Sequence, residues 1–211
     1  MRTLVILSAK MQAGKDTLCL MMRDILAKEY GVTSFSAAYA DKLKDGAKVD
    51  MEPMFSMLAE QRERLLQAGV GSALLEWMVV TEDNIYNKKT PVTRAALQSY
   101  GDLFRRRVSG RHWVDRCLED LSGSDAEFLF ITDARRVNEV EDAVVWAEKN
   151  GLRPITVRVT RETADTGSSI SHPSETDLDG FQSWHYVVDN NGTLEQLENA
   201  ARAILEELLE Y

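Results

Sequence analysis

Residues that cross-link chains or bind metals are scarce in this sequence. Its 211 residues include two cysteines, Cys19 and Cys117, and three histidines, His112, His172 and His185. The cysteines stand apart in predicted helices, which excludes a disulfide scaffold and reads as half-buried, reduced thiols in a cytoplasmic protein. No histidine has metal-ligand spacing with them, so a zinc site is not expected. No apolar run approaches the roughly 20 residues of a membrane span, and no membrane partner is expected. The apolar part of "MRTLVILSAK" is shorter than a signal-peptide core and lacks a small-residue cleavage site, so it reads as a first strand. Positive charge is also in deficit: 25 Lys and Arg stand against 34 Asp and Glu, a net charge of −9. That argues against a grip on polymeric nucleic acid, which calls for a basic footprint, but leaves room for a local basic cleft around a small anion. Internal repeats and low-complexity linkers are absent.

What is present is a soluble composition, 44% hydrophobic and 28% charged, in a chain long enough to bury a core. "TLVILS" (3–8) and "AEFLFITD" (126–133) are continuous apolar runs of the kind buried on both faces of a parallel sheet. "VTSFSAAYA" (32–40), "RPITVRVT" (153–160) and "WHYVVDN" predict further strands. Helices are predicted between them, with stops at Gly31 and Gly151. Thr193 and Gln196 have capping-box spacing at the head of a closing helix. Strand–helix alternation implies an α/β fold with a parallel sheet flanked by helices in three layers. We expect one domain: a core of 1–40 and 123–211, a mostly helical insertion over 41–122, and a polar lid segment over about 161–180.

"SAKMQAGKDT" (8–17) lies between the first strand and the first helix, the placement a phosphate-binding loop requires. Gly14 lets the backbone turn close to a phosphate, and the amides from Ala13 to Thr17 then face one concavity at the positive helix end. Lys15 can reach β- and γ-phosphates. Asp16 replaces the usual Ser or Thr, and as a hard oxygen ligand it can hold Mg²⁺; Thr17 can offer its hydroxyl to a phosphate or the metal. Ala9 replaces the loop's first glycine, at a cost of about 1 kcal/mol if that position needs a positive φ. The alternative is an ordinary strand-to-helix turn with an incidental Gly-Lys pair.

Other segments extend the pattern. "QAGKDT" (12–17), "AYADKLK" (38–44), "TRAALQSYGDLFR" (93–105) with "HWV" (112–114), "ITDARRVNEVE" (131–141), "SHPSETDLDG" (171–180) and "DNNGTLEQL" (189–197) occur in that order. Together the chain resembles the deoxynucleoside monophosphate kinases of tailed bacteriophages, a phosphate-loop kinase family, over nearly its whole length. The resemblance implies a phosphate-loop kinase fold with a helical monophosphate-binding insertion and a lid. It also implies ATP as donor with Mg²⁺, a deoxynucleoside monophosphate as acceptor, and a cytoplasmic setting, the host's if the chain is phage-encoded. Arg136 and Val137 depart from the family's apolar-Pro pair, and residues 45–90 match nothing in it. A homodimer through the insertion is a further expectation.

Phosphoryl transfer between two anions needs positioning and converging cations more than a general base. Lys15, Arg94, Arg105, Arg135, Arg136, Arg158 and Arg161 are the candidates, arginine's planar fork suiting bidentate phosphate contacts. Asp133 ends a buried strand, where it can hold a water on Mg²⁺, cap the next helix or pair with Arg135. Arg94 and Gln98 share a helix face. Asp41 can meet the acceptor or cap a helix. The resemblance places Lys15, Arg135, Asp133 and Arg161 at the reaction, with Asp16, Thr17 and Asp133 as metal holders. It gives Lys10, Ala13, Gly14, Asp16, Thr17 and Arg158 to ATP beside Lys15. Asp41, Lys44, Arg94, Gln98, Arg105, Trp113, Arg136, Glu139, Ser174 and Glu175 fall to the acceptor. For Trp113 a place in the core is the stronger reading, and His172 is given no acid–base role. A related kinase with another acceptor (a hydroxymethylated pyrimidine in DNA or a small phosphorylated metabolite) and a non-catalytic nucleotide-binding regulator are the competing functions.

Overall fold

The computed structural model describes residues 1–69, 71, 91–162 and 173–210, with side chains for all but 51–60, 62 and 91–96. Two compact units emerge: Met1–Tyr39 with Val114–Tyr211, and Ala40–Trp113. No described helix is long and apolar enough to cross a membrane.

The first unit is built on a parallel five-stranded sheet. Its strands are β1 (Thr3–Ala9), β2 (Ser34–Ala37), β3 (Phe128–Ala134), β4 (Arg153–Thr160) and β5 (Tyr186–Asp189), in the order β2-β3-β1-β4-β5. All seven residues of β1 are buried. Val5, Leu7 and Ala9 join one core with Leu18, Met22 and Leu205; Leu4 and Ile6 join a second with Val114, Leu121 and Val140. A central strand covered by helices on both faces explains why β1 is a continuous apolar run rather than an alternation. Each such side chain contributes about 1.5–3 kcal/mol by leaving water.

One face carries α1 (Lys15–Ile25) and α8 (Leu194–Leu209); the other carries α5 (His112–Ser122) and α6 (Val137–Lys149). The three layers form the α/β fold expected from strand–helix alternation. α1 continues as a single wide turn over Leu26–Tyr30 and stops at Gly31, whose φ of 66° is left-handed. Thr193 and Gln196 close a reciprocal capping box at the head of α8, Thr193 Oγ1 accepting the Gln196 amide at 3.2 Å. β2 and β5 are each four residues long, shorter than their predicted segments.

The second unit contains α2 (Tyr39–Glu60, all but its first residue), α3 (Arg62–Gln67) and α4 (Pro91–Arg107). Ala47, Tyr100 and Trp113 form its core, with Leu43, Leu97 and Phe104 against them. Gly101 lets α2 come close: a Cβ there would lie 2.5 Å from Leu43 Cδ1. Of the mostly helical insertion expected over 41–122, residues 70 and 72–90 fall outside the described residues.

The lid expected over about 161–180 is described only in part. Residues 163–172, His172 among them, lie outside; α7 (Pro173–Thr176) and a run of turns follow.

Candidate functional site

Three neighbouring strands deliver their ends to one edge of the sheet. Ser8 of β1 pairs with Ala134 of β3 on one side and Arg158 of β4 on the other. The segments starting at Lys10, Arg135 and Arg161 therefore leave the sheet side by side, at the carboxyl ends where parallel α/β sheets bind ligands.

The first of these segments is the Gly-Lys loop. Ala13 N–H donates to Lys10 O at 3.2 Å, closing a turn. Gln12 has φ 63°, the one positive value at a non-glycine among the described residues, and Gly14 has φ 96°. The expected cost at Ala9 does not arise. Ala9 is a β1 residue paired with Val159, and the left-handed positions are Gln12 and Gly14. Gly14 could not be replaced without strain, since a Cβ would stand 2.2 Å from Asn190 Nδ2.

α1 then begins at Lys15 with no side-chain cap. Its first intrahelical bond runs from Leu18 N–H to Gly14 O at 3.0 Å, so the amides of Lys15, Asp16 and Thr17 have no helical acceptor. Lys15 Nζ donates to Asp16 Oδ1 at 2.5 Å; Lys15 is 12% exposed and Asp16 72%. One turn into the helix, Cys19 is buried among apolar groups, which raises its thiol pKa to about 11.

Asp133, Arg135, Arg136 and Glu139 lie at the end of β3 and the start of α6. Asp133 is buried, its Oδ1 accepting the Tyr39 N–H at 2.7 Å. Glu139 is 3% exposed, and its Oε2 accepts the amides of Arg135 and Arg136 at 2.8 and 3.1 Å. Glu139 thus fixes the backbone that presents the two arginines. Arg136 is the half-buried N-cap residue of α6. The Arg135 guanidinium pairs with Glu175, a buried carboxylate.

β4 supplies Arg158. Its guanidinium donates to Ser8 Oγ at 2.7 Å, lies 3.6 Å from Asp179 Oδ1 and sits over the Trp184 ring at 5.7 Å. Burial lowers its pKa, and the positive charge of Arg135 acts in the same direction. Lys10 Nζ meets Asp179 Oδ2 at 3.0 Å. Lys10, Arg158, exposed Arg161, Asp179, Phe181 and Trp184 line a cavity of about 330 Å³ beside the loop. α7 and the turn after it thus set carboxylates against all three strand ends: Glu175 on Arg135, Asp177 accepting the Val137 amide at 2.9 Å, and Asp179 on Lys10 and Arg158. Ser174 is half-buried in α7.

The other expected residues belong to the second unit. Asp41 is exposed and pairs with Lys44 at 3.2 Å; Arg105 pairs with Asp102 at 3.4 Å. Gln98 is half-buried on α4. The Arg94 side chain lies outside the described residues. Trp113 is 1% exposed, with Nε1 donating to Gly101 O at 3.1 Å. It is a core side chain, the stronger of its two sequence readings.

Sequence reasoning missed Ser8, Asp179, Trp184 and Asn190. Ser8, Asp179 and Asn190 stand inside the strings "SAKMQAGKDT", "SHPSETDLDG" and "DNNGTLEQL", but nothing in those strings told what each side chain touches.

A metal would find oxygen donors at the loop in the Asp16 carboxylate and the Thr17 hydroxyl. Among the described residues no three His, Cys, Asp or Glu side chains gather as a metal cage. That donor set suits Mg²⁺, which keeps its waters and takes one or two protein oxygens together with substrate phosphates.

No family model matches the chain, and no curated protein matches it. Solved structures with a similar overall form include two of the APS kinase of Mycobacterium tuberculosis. One is a cysteine-to-alanine mutant, 10% identical over 98% of this chain and 99% of that one, at a TM-score of 0.44. The other is the complex with AMPPNP and APS, 11% identical over 100% and 99%, also at 0.44. The shikimate kinase of Acinetobacter baumannii with shikimate is 14% identical over 100% and 94%, at a TM-score of 0.39.

Proposed function

We propose that this chain is a phosphate-loop kinase that transfers the γ-phosphoryl group of ATP to a deoxynucleoside monophosphate, giving ADP and the diphosphate. One observation carries the reading. A left-handed Gly14 and the uncapped amides of Lys15, Asp16 and Thr17 follow a fully buried strand; Arg135 comes directly after one of its neighbours, β3, and Arg158 lies two residues before the end of the other, β4. Amides at a helix start bind anions without adding a second buried charge. Lys10, Lys15, Arg135, Arg158 and Arg161 offer the positive charge that two meeting phosphates require.

Lys15, Arg135 and Arg161 would stabilise the transferred group, and Lys10, Ala13, Gly14 and Arg158 the donor. Asp16 and Thr17 would hold Mg²⁺, with Asp133 behind them; when bound, that ion neutralises phosphate charge. Glu139 acts through the backbone it fixes. The resemblance to the phage enzymes gives acceptor recognition to Asp41, Lys44, Arg94, Gln98 and Arg105 of the helical unit, and to Arg136, Ser174 and Glu175.

The purified protein incubated with Mg–ATP and each common deoxynucleoside monophosphate should release ADP with at least one of them. Turnover only on hydroxymethylated DNA or on another phosphorylated metabolite would move the acceptor elsewhere. Nucleotide binding without turnover would leave a regulator.

A further inference from the structure

Asn190 is buried directly after β5 and holds two strands' ends together. Its N–H donates to Thr160 O at 2.8 Å, extending the β4–β5 ladder by one bond. Its side-chain Nδ2 donates to Ala13 O at 2.8 Å across 177 positions of sequence. Only 8% of the residue is exposed. Because Ala13 O is an acceptor, the group facing it must be the amide nitrogen.

That bond has a consequence for the loop. The Ala13–Gly14 peptide is planar and trans, so its C=O and N–H point in opposite directions. Holding Ala13 O toward Asn190 aims the Gly14 N–H away from it, to the opposite side of the loop. No described hydrogen bond uses that N–H. A flip of this peptide would take away the N–H and offer an anion a carbonyl oxygen in its place. Glycine at position 14 makes such a flip easy in an isolated loop, since it populates both halves of φ space. The same glycine is what lets Asn190 approach so closely, given the 2.2 Å a Cβ would leave.

We infer that Asn190 is a positioning residue for the phosphate cradle, its carboxamide locking the Ala13–Gly14 peptide so that the Gly14 amide faces the anion. This rests on the nucleotide reading above for the identity of the anion, but not for the orientation of the peptide.

Asn190→Asp is nearly isosteric and separates the two. At neutral pH the new carboxylate cannot donate and repels Ala13 O. Protonated, it becomes a donor again. The affinity for Mg–ATP, measured by calorimetry, should fall at least tenfold at pH 8. The ratio of variant to wild-type Kd should return toward one as pH falls through the raised pKa of that buried carboxyl. Thr193→Ala loosens the same loop by removing the α8 cap and serves as the control: its melting temperature should drop while its Kd stays within about twofold of wild type. In ligand-free protein, the Gly14 amide resonance of Asn190→Asp should shift from its wild-type position at pH 8 and move back on acidification.

A wild-type Kd in Asn190→Asp at pH 8 overturns the inference. So does an equal loss of affinity in Thr193→Ala, which would make loop stability the cause. A wild-type chain that binds no Mg–ATP sinks the nucleotide reading. Asn190 is then judged by the Gly14 resonance, which must follow the carboxyl for the inference to stand.

Discussion

Gly14 and Ala9 stand five positions apart and meet opposite demands. Ala9 is extended and packed in the core, so Ala9→Gly should cost about 0.5–1 kcal/mol of stability and leave nucleotide affinity unchanged. Gly14→Ala forces a side chain into the left-handed region, about 1–2 kcal/mol, and against Asn190 as well. Denaturant melts paired with Mg–ATP titration should show both losses in Gly14→Ala and only the first in Ala9→Gly. Lys15 behaves differently again: among the described residues its ionic partner is Asp16, 72% exposed, and a pair with so exposed a partner contributes little to stability. Lys15→Ala should lower turnover by roughly 100- to 1,000-fold with little change in melting temperature; near wild-type kcat would remove Lys15 from the reaction. Cys19, behind the loop, gives a pH signature. Its folded pKa of about 11 lies above the ordinary 9.0, so the unfolded chain loses this proton first as pH rises. The stabilisation is complete below pH 9 and is lost as pH rises through 11. Urea midpoints measured from pH 8 to 11 should fall less steeply in Cys19→Ala than in wild type, whatever that variant loses at neutral pH.

Glu175 and Asp179 sit on one short segment, α7 and the turn after it, but their surroundings predict different outcomes. Glu175 is buried against Arg135, so Glu175→Gln weakens a sequestered ion pair and should cost about 1–3 kcal/mol. Asp179 is 43% exposed, and exposed pairs contribute little to stability. Asp179→Asn should leave the melting curve nearly unchanged. It also frees positive charge on Lys10 and Arg158, so Mg–ATP should bind about 2- to 10-fold more tightly, an effect that added salt erases. Weaker binding in Asp179→Asn would mean that the carboxylate orients the two cations instead of competing for them. The contrast shows what was legible beforehand. β1, β3 and β4 could be read because strands buried on both faces must be continuously apolar. The loop could be read because Gly14 and Lys15 are neighbours in sequence. β2 was read too long, since half-exposed Ser34–Ala37 has little periodicity to mark its ends. The pairing of Asp179 with Lys10 spans 169 positions, and no local pattern encodes a contact that only the sheet order creates.

The molecule as a whole is acidic, with a net charge of −9, yet Lys10, Lys15, Arg135, Arg158 and Arg161 stand near or just beyond the strand ends at one edge of the sheet. Such a distribution favours small anions, which can enter a local positive field without meeting the remaining surface. For a DNA duplex the acidic remainder of the surface works against binding. The duplex carries about one charge per 1.7 Å of its axis, and its affinity depends on neutralising many phosphates at once. The chain offers a few cations around one loop, and several of them already face Asp16, Glu175 or Asp179. Free nucleotide and DNA should therefore part company at physiological salt. Mg–ATP should bind, whereas duplex DNA, hydroxymethylated or not, should neither displace it nor take up label from γ-labelled ATP. Lowering the salt should strengthen nucleotide binding more than DNA binding, because the acidic remainder of the surface is unscreened at the same time. Labelled DNA at physiological salt would show that the cations of this edge reach a polymer despite the surrounding charge, and the free monophosphate would then lose its place as acceptor.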